Sequence, residues 1–388
     1  MALAFGALVR GRPFPGQLLP DEEGRGRTAP RLKSLGRCLL LLTMGAFIVV
    51  HPLAALPKDK TITQFAHRAW PAGEGSRIDT IESIAQCEDG FIWLASHQGL
   101  ARFDGHRFRT FGSVPELDED LVFLVKADRR GRLWVGSAAG LVMQQDGRWT
   151  SFHQDHGLPH PLVRAMVEDR QGRLWVGTQQ GPAVFDEPSG RFRPLEKLNQ
   201  APTAVVSLHI ASDGGVWMGT ETGVVSWREG GDVHTFTTAD GLPNDVVRAV
   251  YEDQRARLWF GTLEGLVRWS DGEMRIFGTA DGLPSDTIRA VAEDEVGNLW
   301  VATNGGLGRL RGERFEALTA DDGLLSEQIL SLFVDRRGTL WFGSQGGGLN
   351  RLHDGELTPF GEPEGLTDDF IWSLYEDSAD RLWLGTNG

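Results

Sequence analysis

The sequence predicts an all-β protein, a β-propeller of four-stranded antiparallel blades, and three observations carry that expectation. A tryptophan recurs at Trp93, Trp134, Trp175, Trp217, Trp259, Trp300, Trp341 and Trp383, at intervals of 41, 41, 42, 42, 41, 41 and 42 residues. A nearly constant period of this size marks a repeat architecture. Each interval holds four short β-rich runs separated by turn residues, and none of them has helical period. A lone four-stranded sheet leaves both faces uncovered, whereas sheets stacked radially bury one another.

The copy at residues 241–277 shows the unit element by element. Residues 245–252 are rich in β-branched and aromatic side chains and read as the first strand. Asp253 opens a turn into a second strand at 257–262, and Glu264-Gly265 leads to a third at 266–269. Asp271-Gly272 is a hairpin signal for a fourth strand at 273–277. Gly282-Leu283-Pro284 then breaks the chain before the next copy.

The first turn explains why certain residues recur. Asp169 and Gly172 bracket a loop repeated at 294–297 and 335–338, with Asp accepting local backbone N–H groups and Gly supplying a positive φ. Ala256 and Asp380 hold the Gly place in two copies, and Asp tolerates the left-handed region better than Ala does. The copies with Asp89-Gly90 and Asp213-Gly214 reach their Trp two residues sooner. The large Trp suits the contact between neighbouring sheets, so each Trp→Ala change is expected to cost ~3–5 kcal/mol.

Residues 1–55 differ in kind. Arg25, Arg27, Arg31, Lys33 and Arg37 precede an apolar run of 12 residues at 39–50 that ends in small residues. This is the pattern of a secretory signal, with an uncleaved anchor as the alternative; a membrane span needs ~20 apolar residues. Cys38 lies before the apolar run, which argues against a lipoprotein cleavage site. Without the leader's seven basic and three acidic residues, 32 basic and 50 acidic residues remain in 56–388, a net charge of −18. That balance argues against nucleic acid or an anionic membrane as the main partner. Cys87 is the one cysteine after the leader, so no internal disulfide forms there, which fits a bacterial envelope protein.

After a strand-like stretch at 61–65, seven complete repeats run from Trp93 to Trp341. An eighth stops at Gly388, within the turn after its second strand. We expect the protein to continue from there with a third strand. With eight blades, the stretch at 61–65 could complete the last one; with seven, Trp383 would belong to a second ring. The period alone does not choose.

The pattern Gly-Leu-Pro, then Val/Ile-Arg-Ala-Val, Glu-Asp, Gly-x-Leu-Trp-x-Gly-Thr and Gly-Leu resembles the two-component regulator propeller repeat. Residues 282–307 match it almost throughout, with Ala302 replacing Gly, and 241–266 and 157–181 are nearly as close. The first copy, with Cys87, Ala95 and Ser96, is weaker, and Pro182 replaces Leu in the third. The resemblance covers about residues 60–388. It implies a seven-bladed first ring in the extracytoplasmic sensor region of a membrane-bound bacterial receptor. It also implies a second propeller, an immunoglobulin-like domain, a membrane helix and a cytoplasmic output beyond Gly388. That output is most often a histidine kinase, otherwise a diguanylate cyclase or a DNA-binding module. The expected place is then the periplasmic face of the inner membrane.

No phosphate-binding loop, nucleophile elbow or zinc-protease motif is present, and nothing implies a cofactor or a metal. His153, His156 and His160 cluster in one loop, where a solvated polar role is expected. The recurring Asp residues sit in separate blades, so turn capping is their expected role. Strand alternation places the Gly-Leu-Pro loops and the Gly-Thr-x-x-Gly turns on one face. That face carries the variable polar residues His97, Gln98, Gln179, Gln180, Glu221, Glu264, Asn304 and Gln345, the candidate ligand-binding set. The expected ligand is a small molecule or glycan that favours one arrangement of a receptor homodimer. The competing readings are an exported propeller enzyme, such as a polysaccharide lyase or glycosidase, and a protein-interaction platform. A glycosidase would need two carboxylates within ~5–10 Å, and the repeat positions reveal no such pair.

Overall fold

The computed structural model describes residues 80–387 except 105, 107, 112–120, 196–202, 231–232 and 354, together with Gly6–Ala7 paired to His67–Arg68. Apart from Gly6–Ala7, the leader lies outside the described residues, as does the stretch at 61–65.

Blade 5 shows why the unit folds as it does. Its strands are Val247–Glu252, Leu258–Thr262, Leu266–Ser270 and Glu273–Phe277, hydrogen-bonded in sequence order as an antiparallel meander. The second strand is buried on both faces, because it lies inside its own sheet and is covered by sheets on either side. Six more blades repeat this order, giving seven four-stranded sheets over 81–110, 122–152, 163–194, 205–236, 247–277, 288–318 and 329–360. This is an all-β propeller with seven four-stranded antiparallel blades, the fold class expected.

The eighth repeat forms a two-stranded sheet, Ile371–Glu376 and Leu382–Thr386, and it does not start a second ring. It packs between blade 7 and blade 1 and closes the circle. The contacts used there are those used elsewhere. In ordinary junctions the carboxylate ending a first strand accepts a turn N–H from the preceding blade, as Glu168 does from Arg129 (3.1 Å) and Glu293 from Gln254 (2.6 Å). At closure Gln86 accepts the Ser378 N–H at 2.7 Å. Ser331 Oγ donates to Ile371 O at 3.2 Å, and Ser373 Oγ likewise to Ile81 O at 3.1 Å.

The core is a ring of separate clusters, each joining one Trp to the next sheet. Trp134 packs on Val163, Leu174 and Phe185, Trp259 on Ile288 and Val301, and Trp383 on Ile81, Ile92 and Phe103. The Gly two residues after Trp is required by this close approach. A Cβ on Gly261 would lie 2.6 Å from Ile288 Cγ2, and one on Gly177 2.7 Å from Val205 Cγ1. Ala95 and Ala302 are the largest residues found at that place among the described blades.

One local element was not read from the sequence. A short 3₁₀ turn precedes the Gly-Leu motif at five junctions, such as Thr238–Asp240 and Thr279–Asp281. Its last residue, Asp in three of the five, folds back on the backbone before it, as Asp240 does to the Thr237 N–H at 3.0 Å. The following Gly241 has φ 107°, and Leu242 is buried.

Candidate functional site at the channel mouth

The first strands of successive sheets contact one another all round the ring, so they form its inner wall. Each begins with a β-bulge, seen as a register shift between, for example, Val163 and Ala165, Val247 and Ala249, and Ile288 and Ala290. A bulge leaves one residue out of the ladder and re-aims its side chain. The bulged residues, in ring order, are Glu82, Phe123, Arg164, Val206, Arg248, Arg289, Leu330 and Trp372.

The bulges oppose the ends of the second strands, which puts them on the same face as the second-to-third turns. In those turns the first residue donates its N–H to the carbonyl just before the first strand: His97 to Thr80 (3.3 Å), Gln179 to Leu162 (3.1 Å), Glu221 to Ala204 (3.2 Å), Asn304 to Thr287 (3.2 Å) and Gln345 to Gln328 (2.9 Å). The side chains then reach the bulge. His97 Nε2 lies 2.8 Å from Glu82 Oε1, Asn304 Oδ1 accepts from Arg289 Nε at 2.8 Å, and Asn387 Oδ1 accepts from Trp372 Nε1 at 2.6 Å. Gln179 Oε1 is buried and has no hydrogen-bond partner.

The candidate set from the sequence therefore divides. His97, Gln179, Glu221, Asn304 and Gln345 occupy the turn position beside the bulges. Gln98, Gln180 and Glu264 occupy the next position, where their backbone N–H groups bond to Ser96, Thr178 and Thr262 hydroxyls at 3.2, 3.2 and 3.1 Å. A cavity of about 620 Å³ opens at the mouth, lined by Glu82, Phe123, Arg164, Val206, Glu221 and Arg248 among others. The bulged residues were missed as candidates; their signal was the Arg that follows Val163, Val247 and Ile288 at the same place in three repeats.

The electrostatics of this mouth are unusual for an acidic chain. Arg164 and Arg248 are exposed, and no hydrogen bond or ion pair holds either of them among the described residues. Burial, and then the neighbouring Arg248, push the Arg289 guanidinium down from its usual range. A second cavity, of about 540 Å³, lies between blades 6 and 7 beside Trp300, Asn298 and Arg309.

The opposite end holds no comparable variety. In six repeats the turn Asp accepts the indole N–H of its own Trp: Asp128–Trp134, Asp253–Trp259, Asp335–Trp341 and Asp377–Trp383 at 2.8 Å, Asp169–Trp175 at 2.9 Å and Asp294–Trp300 at 3.0 Å. The other carboxylate oxygen caps the turn, as Asp253 Oδ1 does for the N–H groups of Arg255 (2.9 Å) and Arg257 (3.0 Å). Capping was expected; the bond to the indole was not.

The His cluster and Cys87 have structural roles. His156 Nδ1 accepts the His153 N–H at 3.2 Å and His160 Nδ1 the Leu162 N–H at 3.1 Å, so these rings cap their own loop. Cys87 is buried, and burial together with Asp89, Asp128 and Glu88 pushes its thiol up to about 12, which makes it a poor nucleophile. Among the described residues no group of three or more His, Cys, Asp and Glu could hold a metal ion, and no helix is long and apolar enough to cross a membrane.

Comparison with known proteins agrees with this architecture. In fold the chain is similar to the extracellular domain of a putative hybrid two-component system from B. thetaiotaomicron (TM-score 0.55, 21% identity), covering 82% of this chain and 52% of that one. It thus spans about half the length of that domain. It is also similar to virginiamycin B lyase from Staphylococcus aureus (TM-score 0.54, 16% identity, 80% and 96% covered). A third similar structure is the computationally designed Ika8 protein (TM-score 0.59, 14% identity, 81% and 95% covered). At these identities the likeness concerns the fold. A search of curated proteins finds no match. The model of the two-component regulator propeller matches residues 157–180, 241–264, 282–305, 323–346 and 365–388. With five matches to one model in register on a single propeller ring, the chain carries the two-component regulator propeller repeat.

Proposed function

We propose that this chain is the ligand-sensing region of a two-component receptor, exported to the periplasmic side of a bacterial inner membrane and anchored through segments beyond Gly388. The observation that carries the reading is the contrast between a uniform ring and one mouth where the bulged residue varies among Glu, Phe, Arg, Val, Leu and Trp. A rigid scaffold with variable positions at one end is the arrangement of a binding module. The output is a histidine kinase or, in the alternative, a diguanylate cyclase or a transcriptional regulator. The ligand, a small molecule or glycan, acts by favouring one arrangement of a receptor homodimer, which requires different affinities for the two arrangements.

The sequence leader and the family support export, and a fusion tests it. Alkaline phosphatase joined after Gly388, with residues 1–55 retained, is expected to be active in cells and inactive once the leader is deleted. An inactive fusion with the leader present would overturn the exported reading.

A further inference from the structure

Within this sensor reading, we infer that the channel mouth around Arg164, Arg248 and Arg289 binds a carboxylate-bearing organic anion. The inference starts from a contrast in how the chain uses arginine. At the opposite end Arg132, Arg173, Arg257 and Arg381 each donate Nε to the turn Asp of their own repeat, at 2.6 to 2.7 Å. Those side chains have a structural partner. The three at the mouth have none of that kind: Arg164 and Arg248 are unbonded among the described residues, and Arg289 is held only through Nε, by a neutral amide. A chain with a formal net charge of −14 has acidic groups to spare, yet none is paired with these guanidinium groups.

Arg164 and Arg248 line the cavity with Glu82 and Glu221 but form no ion pair with either, so their guanidinium groups are left for a bound anion. Arg presents a planar fork of donors that matches a carboxylate in two parallel hydrogen bonds. The amide of Asn304 fixes the Nε edge of Arg289, which lies beside the cavity and adds its positive charge to that of neighbouring Arg248. The cavity of about 620 Å³ is in the size range of small-molecule sites. Phe123 and Val206 supply its apolar wall, and Glu221 an acceptor for ligand hydroxyl groups. Glu82, the other carboxylate lining the cavity, is already engaged by His97 at 2.8 Å. The buried, unpartnered Gln179 Oε1 beside the Arg164 bulge is a further acceptor at the same mouth.

Citrate serves as the probe, with uncharged glycerol as its control, titrated calorimetrically into the full 388-residue chain. Citrate is expected to bind one to one, more weakly as salt is raised, while glycerol gives no signal. The Arg164→Ala/Arg248→Ala double variant is expected to lose at least tenfold in affinity while melting at the wild-type temperature. Arg164→Lys/Arg248→Lys, which keeps the charge and loses the fork, should fall between. No citrate binding by the wild-type chain, or equal binding by the double variant, would overturn the inference. Either result leaves the phosphatase fusion untouched, so the site and the sensor reading fail separately.

Discussion

The two ends of the ring obey different rules. At one end six repeats use the same device, an Asp that caps a turn with one oxygen and holds the indole of its own Trp with the other. At the other end eight bulges carry Glu, Phe, Arg, Val, Arg, Arg, Leu and Trp, and no two neighbours share a role except Arg248 and Arg289. Repetition marks what every blade needs in order to pack, and variety marks what only one ring position needs. The stabilising chemistry is therefore concentrated between the blades and at the end where each Asp latches its Trp, and the bulge end is the one we propose for recognition.

The largest test of that division is removal of an indole. Trp259 is fully buried between blades 5 and 6, against Phe277, Ile288 and Val301. Trp259→Ala is expected to destabilise by ~3–5 kcal/mol in urea titrations, from the lost transfer energy and the cavity left behind. A loss below ~1 kcal/mol would mean that the blades do not depend on this wedge. Alanine at Arg164 or Arg248, read in the same titration, is expected to change stability by less than ~0.5 kcal/mol, as for exposed residues away from packing features.

Next in size is the latch itself. Asp253→Ala leaves the Trp259 indole and two turn N–H groups without their acceptor, and one such buried orphan costs ~1–3 kcal/mol. Asp213 is the internal control. In its shorter turn the exposed Asp213 accepts the Gly215 N–H at 2.8 Å and pairs with Arg228, and among the described residues it makes no bond to an indole. Asp213→Ala is therefore expected to cost less, ~0.5–1 kcal/mol. Equal losses at the two sites would erase the distinction between long and short turns. Blade 1 already shows what the missing bond means, for Trp93 Nε1 is buried with no partner.

Acid should expose the same asymmetry. Burial raises the carboxyls of Asp128, Asp169 and Asp253, but the indole, the turn N–H groups and the Arg guanidinium outweigh it and hold all three below their ordinary 3.8. A depressed folded value gives stability that is present above the unfolded value and lost as pH falls through the folded one. Glu293 and Glu376 are shifted the other way, raised chiefly by burial, so their protonation in the fold favours the native state. Stability is then expected to rise slightly as pH falls from 7 toward the ordinary glutamate range, and to drop below the ordinary aspartate range. In urea titrations from pH 7 to pH 3, Asp253→Ala should flatten the acid limb; an unchanged limb would remove the latch from the explanation.

Most of the ring was legible in the sequence because its causes are local. The Trp period, the Asp-Gly turns and the alternating strands follow from neighbours within a few residues, and the four strands of blade 5 fall within two residues of their expected bounds. What was not legible depends on closure. Whether Trp383 meets Phe103 or starts another ring is decided across 280 residues of chain, by the accumulated angle between blades. The face carrying His97 and Asn304 was read correctly from strand direction. The bulge residues opposite them were not, because the bulged Arg of Val-Arg-Ala looks like any outward strand residue until the register shift is seen.

The smallest effect concerns the two repeats in which a residue other than Gly closes the latch turn. Ala256 has φ 58° and Asp380 φ 56°, in the left-handed region where a Cβ costs about 1–2 kcal/mol. Asp380 recovers part of this through Arg336, whose guanidinium lies 2.9 Å from Oδ1. Ala256 is exposed and has no such contact. Replacing it with Gly removes the strain but widens the unfolded ensemble, an opposing term of about 0.4–1 kcal/mol. The first term exceeds the second, so Ala256→Gly is expected to stabilise by roughly 0.5 kcal/mol. Asp380→Gly also gives up the ion pair and should gain less or nothing. If Ala256→Gly instead lost stability, the turn would not be strained at this position, and the latch end would be held by the Asp bonds alone, independent of which residue closes it.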